Sequence, residues 1–233
     1  MLTIITPCSR PENLSFLYDT IRITKIDKWI IVYDTTHTDG VFEKRFNRSN
    51  IIEVGHVSPP DTCSGNSQRN VGLNMVQRGM VYFLDDDNVI HPEFWKIADT
   101  FDDVHFYTWD QQRNDEFANK LGGIAAGDNP RLRIIDTAQF AVPRYMCRPW
   151  QEDAFIADGL FIEDVYNRFR SLHIYTPVVA AFYNFLRFDS VEESFEYCHL
   201  TGLGPKPESR KVDGDTIGDD TQSENPPPNR EDC

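Results

Sequence analysis

Short, densely apolar runs alternate along this chain with stretches whose apolar residues recur at helical spacing, and each run stops abruptly at polar residues. Leu2-Thr3-Ile4-Ile5-Thr6-Pro7 predicts a buried strand closed by a proline turn. Pro11 suits a first helical turn, with Ser9 or Arg10 near the cap, and Leu14, Leu17, Tyr18 and Ile21 then fall on one helical face. Trp29 to Asp34 predicts a second buried strand. A strand–helix–strand crossover is a βαβ unit, whose parallel strands bring Thr6 and Asp34 to the same sheet edge. Ile51 to Val54 predicts a third strand, and Ser58 to Gly65, with Ser64 near its end, reads as loop by composition. Asn66 or Ser67 is expected to cap a helix over Gln68 to Val76, which Gly79 ends.

The sharpest boundary in the pattern is Met80-Val81-Tyr82-Phe83-Leu84, an apolar run that meets Asp85-Asp86-Asp87-Asn88. It predicts a fourth strand buried on both faces, with its acids at the carboxyl end, where open α/β sheets bind ligands. Adjacent carboxylates repel, so a divalent cation holding a phosphate is one reading; a solvated acidic turn is the other. Arg69 falls in the first turn of its helix, where the dipole disfavours a cation unless an anion lies close. A surface arginine paired with a carboxylate reads equally well.

Beyond Asn88 the signals thin. A helix is expected to start near Pro92, a strand to cover Val104 to Trp109, and Asp110 to Asn119 to be a polar connection. Gly122 to Gly127 is either a close backbone approach to a ligand or a plain hairpin. Ile134 to Pro143 predicts a strand carrying Asp136 and Gln139, Leu160 to Tyr166 a helix, and Ile174 to Tyr183 a closing strand. Asp158 precedes that helix at cap distance; it is a structural cap or, projecting into a cleft, a general base. Ser194 to Leu200 reads as a short helix in which His199 is a surface residue or a metal ligand. Residues 205–233 are Pro, Asp, Asn, Ser and Glu with little to bury, a disordered tail or linker; residues 1–204 form one domain.

Composition narrows the chemistry. The 233 residues carry a formal net charge of −14, which argues against a nucleic-acid surface, so a bound phosphate needs a metal or a local basic spot. The scattered cysteines read as reduced thiols of a cytoplasmic protein, and no apolar run reaches the length of a membrane span. No dinucleotide glycine fingerprint and no Gly-Lys-Ser phosphate loop is present.

Four stretches, Ile4-Ile5-Thr6-Pro7 with Ser9-Arg10-Pro11, Trp29 to Asp34, Gln68 to Leu73, and Tyr82 to Asn88, together resemble the nucleotide-sugar-dependent glycosyltransferases of the GT-A fold. They are similar to the opening strand, base-binding strand, Gln-Arg-Asn helix and Asp-x-Asp motif of animal glucuronyltransferases. Ile135-Asp136-Thr137 and Ala157-Asp158-Gly159 resemble more closely the capsid-glycosylating glycosyltransferase domains of chlorella viruses.

The resemblance implies an α/β fold with a mixed, mostly parallel sheet flanked by helices, and a UDP-sugar donor. It implies transfer to a hydroxyl of a glycan or glycoprotein, possible further domains of a longer chain, and a host-cytoplasm setting if the protein is viral. By position, Thr6, Pro7 and Asp34 hold the base, and Arg10, Ser64, Arg69, Asp85 and Asp86 contact the nucleotide or donor sugar. Asp87 would ligate Mn²⁺ or Mg²⁺ bridging the diphosphate. Asp158 is the matching base for an inverting reaction. The surroundings of His199 do not match that family's carboxy-terminal histidine, which leaves it a weak second ligand. A nucleotidyltransferase and a non-catalytic nucleotide-sugar or glycan binder are the alternatives; the former normally has a glycine-rich basic loop where this chain has Pro7-Cys8-Ser9-Arg10-Pro11.

Overall fold

The computed structural model describes residues 1–38, 40–63, 65–115, 120–132 and 134–186. Ser64, His199 and the expected tail lie outside them. Among the described residues nine strands form one sheet: β1 Leu2–Cys8, β2 Lys28–Asp34, β3 Ile51–His56, β4 Met80–Phe83, β5 Val89–Ile90, β6 Phe106–Asp115, β7 Lys120–Ala125, β8 Phe140–Pro143 and β9 His173–Tyr183. The order is β3-β2-β1-β4-β8-β6-β9-β5, with β7 on β6. The first four strands run parallel, and β6 runs parallel to β9. β8 pairs antiparallel with both β4 and β6, which makes the sheet mixed. Helices flank it at α1 Leu14–Thr20, α2 Asn66–Asn74, α3 Phe94–Ala98 and α4 Ala157–Phe169.

The period-two alternation of the early strands sorts two cores. Ile4, Trp29, Ile31, Met80 and Tyr82 face one layer, with α1 and α3 supplying Leu14, Leu17, Phe94 and Trp95. Ile5, Ile30, Val32, Val81 and Phe83 face the other, with Leu73 of α2 and Phe161, Ile162 and Val165 of α4. These strands are buried on both faces, as parallel strands covered by helices must be. Gly72 sets how closely α2 approaches: a Cβ there would sit 2.5 Å from Ile5 Cγ2.

Several boundaries differ from the sequence expectation. Helix α2 begins at Asn66 behind Gly65, which holds φ +77, so neither Asn66 nor Ser67 is the cap. The polar stretch after Trp109 is not a connection: β6 runs on to Asp115 and pairs with β7 as a hairpin. Ladder hydrogen bonds to two neighbours outweigh the poor strand propensity of Asp110-Gln111-Gln112. The strand expected from Ile134 starts only at Phe140, after a 3-10 turn over Thr137–Gln139 closed by an Asp136–Gln139 capping box.

Candidate functional site

The acidic run after β4 lies in a loop over the carboxyl ends of β1 and β4, and its carboxylates have separate tasks. Asp86 is buried and turned into the protein. Its Oδ2 accepts the backbone N–H groups of Ser9 and Arg10, each at 2.6 Å, and the Ser9 hydroxyl at 3.1 Å. Its Oδ1 accepts Arg10 Nη1 at 2.6 Å. Asn13 Nδ2 donates to the Asp86 carbonyl at 3.0 Å. Asp86 therefore folds the turn after β1. Arg10 also reaches Asp87 Oδ2 at 3.1 Å. Burial opposes the Arg10 charge, but Asp86 and Asp87 outweigh it and hold the guanidinium pKa above its ordinary value.

Asp85 faces a second cluster. Its Oδ1 accepts Arg69 Nη2 at 2.5 Å, and its Oδ2 accepts the Thr137 hydroxyl at 3.0 Å. Arg69 is buried in the first turn of α2, where Asn66 Oδ1 accepts its Nη1 at 2.9 Å and the Trp150 ring lies 4.9 Å from the guanidinium. The dipole conflict noted in the sequence is thus met by a carboxylate of the protein itself.

Asp136 and Asp158 complete this corner. Each keeps part of its surface open while protein encloses it on other sides. That enclosure raises both pKa values: Asp136 through burial, then Asp158 and Asp85; Asp158 through burial and Asp85, with the Gly159 N–H and Arg69 opposing. Asp158 is not the cap of α4, whose preceding residue is Ile156. It sits in the first turn, and its Oδ1 accepts the Gly159 N–H at 2.7 Å. One oxygen is thereby used locally, and the conflict between capping and base roles that spacing suggested is relaxed.

The structure thus brings Arg69, Asp85 and Asp158 together with Asp136 and Thr137, two residues not picked out as site residues from sequence. The capping-box pattern Asp136-x-x-Gln139 was their only local signal, because their nearness to Asp85 arises from the β4–β8 pairing. Thr6 and Pro7 lie near the end of β1, and Asp34 ends β2. The Thr6 side chain is buried and its hydroxyl accepts Trp29 Nε1 at 2.9 Å, so only its backbone remains for a base. Pro7 packs under Gly65, where a Cβ would come within 2.9 Å of its own. Asp34 is exposed at the end of β2, where its Oδ1 accepts the Thr36 N–H at 3.0 Å. The buried thiols do not suit nucleophilic chemistry: burial pushes Cys147 up to about 12 and Cys8 higher still.

Among the described residues no three His, Cys, Asp or Glu side chains converge as a protein-only metal cage. Asp85 and Asp87 offer hard oxygens at one strand end, but both are engaged by arginines in this structure. That donor set fits a Mg²⁺ or Mn²⁺ ion that takes most of its coordination from a diphosphate, which would also occupy the arginines.

No protein-family model matches the chain, and no curated protein matches it. Solved structures do. S. aureus TarS superposes with a TM-score of 0.57 at 16% identity, over 87% of this chain and 39% of that one. The fold is GT-A. TarS 1-349 in complex with UDP-GlcNAc gives a TM-score of 0.53 at 15% identity, covering 87% of this chain and 65% of its own length. Glucosyl-3-phosphoglycerate synthase from Mycobacterium tuberculosis, in complex with Mn²⁺ and UDP-Glc, gives 0.51 at 13% identity over 90% of this chain and 80% of that one. The inositol-1-phosphate CTP transferase from T. maritima gives 0.51 at 12% identity over 83% and 94%. This chain therefore spans less than two thirds of either TarS structure. No helix among the described residues is long and apolar enough to cross a membrane.

Proposed function

We propose that this GT-A chain is a metal-dependent glycosyltransferase that moves a sugar from a nucleoside diphosphate, UDP in the first instance, to a hydroxyl of a glycan or glycoprotein. The observation that carries this reading is the convergence of Arg69, Asp85, Asp136 and Asp158 at the carboxyl ends of β1 and β4. Arg69, buried yet at a helix amino terminus, suits a diphosphate or sugar oxygen. Asp85 suits a ribose or sugar hydroxyl, and Asp34 with the Thr6-Pro7 backbone suits the base. Asp87, with Asp85 beside it, would hold Mn²⁺ or Mg²⁺, which when bound supplies charge to stabilise the departing nucleotide.

Asp158 then accepts the acceptor's proton as that hydroxyl oxygen bonds to the anomeric carbon and the bond from carbon to the nucleotide oxygen breaks. Its raised pKa makes it a stronger base than a solvated aspartate, and Arg69 opposes full neutralisation. The UDP-sugar and Mn²⁺ in the complexes of similar structures support this donor and metal.

A nucleotidyltransferase is the second reading, favoured by the likeness to the CTP transferase. Against it stands the turn after β1, which is pinned by Asp86 instead of being a basic, glycine-rich cradle. A thermal-shift panel of nucleotide sugars and of nucleoside triphosphates, each with and without Mn²⁺, separates the two. Stabilisation by a UDP-sugar in Mn²⁺, followed by a glycosidic product in NMR, is expected. A response to triphosphates alone, with pyrophosphate released from the triphosphate as a sugar phosphate bonds to its α-phosphorus, would overturn the glycosyltransferase reading.

A further inference from the structure

A buried amide, Asn66, links helix α2 to the segment before α4. Asn66 is 3% exposed; its Oδ1 accepts Arg69 Nη1 at 2.9 Å, while its Nδ2 donates to the Ala154 carbonyl at 2.9 Å and the Gln151 carbonyl at 3.2 Å. The same Ala154 carbonyl accepts the N–H of Ala157, the first residue of α4 and the neighbour of Asp158, at 3.3 Å. A continuous hydrogen-bonded path therefore runs from the Arg69 guanidinium through one side chain to the start of the helix that carries Asp158.

The surroundings stiffen this path. Asn70, one turn further along α2, donates to the Trp150 carbonyl at 3.0 Å and to Glu152 Oε1 at 2.8 Å, and accepts the Trp150 N–H at 2.7 Å. Trp150 lies between Arg69 and Phe161 of α4, with its ring 4.6 Å from Phe161 at 10°. Only an amide of this size offers an acceptor to the arginine and a donor to the carbonyls together. An aspartate would face the Gln151 and Ala154 carbonyls with an acceptor in place of the donor, and an alanine would remove both ends of the link.

We propose that Asn66 is a positioning residue that couples occupation of the donor site at Arg69 to the placement of Asp158. An anion that draws on Arg69 pulls on the acceptor end of Asn66, and the donor end passes the adjustment to the Ala154 carbonyl and the first turn of α4. Binding of the nucleotide thereby sets the base for the acceptor. This rests on the glycosyltransferase reading above.

Hydrogen exchange on the full chain, with UDP and Mn²⁺ as the probe, tests it. In the wild type, UDP should slow exchange across residues 151–160. In Asn66→Asp, which keeps an acceptor for Arg69, UDP should bind within about threefold while that added protection disappears. Turnover of the best UDP-sugar from the thermal-shift panel should fall roughly 10-fold to 100-fold in kcat with its KM little changed, the scale of a misplaced catalytic group. UDP binding to the wild type with exchange in 151–160 unaltered overturns the coupling and leaves the glycosyltransferase reading standing. So does wild-type kcat in Asn66→Asp. If Asn66→Asp does not fold, the wild-type exchange result decides alone. No binding of any nucleotide sugar by the wild type overturns both.

Discussion

Asp86 accepts the Ser9 backbone N–H at 2.6 Å from 77 residues further along the chain, and in doing so ties the loop after β4 to the turn after β1. A buried carboxylate satisfied by backbone N–H groups and by Arg10 is a fold element inside a run of acids that reads as a binding motif. Its removal takes the acceptor from the two backbone N–H groups and leaves Arg10 with Asp87 alone. Asp86→Ala should destabilise the chain by roughly 3 kcal/mol or more, by the cost of breaking a buried charged network. Chemical denaturation measures this; a loss below about 1 kcal/mol would show that the turn stands without the carboxylate.

Asp87 differs from its neighbour because Arg10 still has Asp86 when Asp87 is gone. Asp87→Ala should abolish the Mn²⁺-dependent part of UDP binding and shift the melting temperature little. Titration calorimetry with and without Mn²⁺ gives the answer, and an unchanged metal dependence would remove Asp87 as a ligand.

For Asp158, the arrangement separates binding from chemistry. Asp158→Asn retains the acceptor for the Gly159 N–H but cannot take a proton, so transfer should fall by about 100-fold or more while UDP affinity stays near wild type. Initial rates with a fixed UDP-sugar settle the matter, with wild-type turnover ruling Asp158 out as base.

The raised carboxylate pKa values carry a pH signature with a definite sign. An acid whose folded pKa lies above its unfolded value, about 3.9 for Asp, binds more protons when folded. Its contribution to stability is full below that unfolded value and is lost as pH rises toward the folded pKa. Asp136, raised by burial and by Asp158 and Asp85, should make the wild type lose stability over that interval. In Asp136→Asn, whose amide oxygen can still accept the Ala138 N–H, the slope should flatten. Melting curves at a series of pH values compare the two; parallel profiles would show that Asp136 ionises normally.

Gly65 supplies a test of how the site is mounted. It holds φ +77, and a Cβ there would fall 2.9 Å from Pro7 Cβ and 3.7 Å from Arg69 Nη1. Gly65→Ala should cost roughly 1–3 kcal/mol, from the left-handed backbone and from α2 being pushed off β1. UDP affinity should fall with it, since Arg69 moves with the helix; full affinity with lowered stability would confine the effect to packing.

Much of this protein was legible one residue at a time. The early strands, the first helix, the place of the acids at the end of β4 and the position of Arg69 in a first helical turn all follow from period-two and helical patterning, because burial on both faces demands unbroken apolar runs. Local rules served less well after Asn88. There β6 keeps a polar sequence in strand form through its neighbours, and a 3-10 turn replaces the expected start of β8.

Which acid does what was decided only by the tertiary structure. Asp85, Asp86 and Asp87 are identical residues in adjacent positions, and nothing local distinguishes one that faces Arg69 from one that folds the turn after β1. Likewise Asp136 and Asp158 reach the same corner only because β8 pairs with β4 and α4 packs against the layer beneath Phe83. The sequence alone determined that acids would end a buried strand, since apolar periodicity is a local property. Their division of labour depends on partners tens of residues away, and electrostatic environment is set by distance in space, not along the chain.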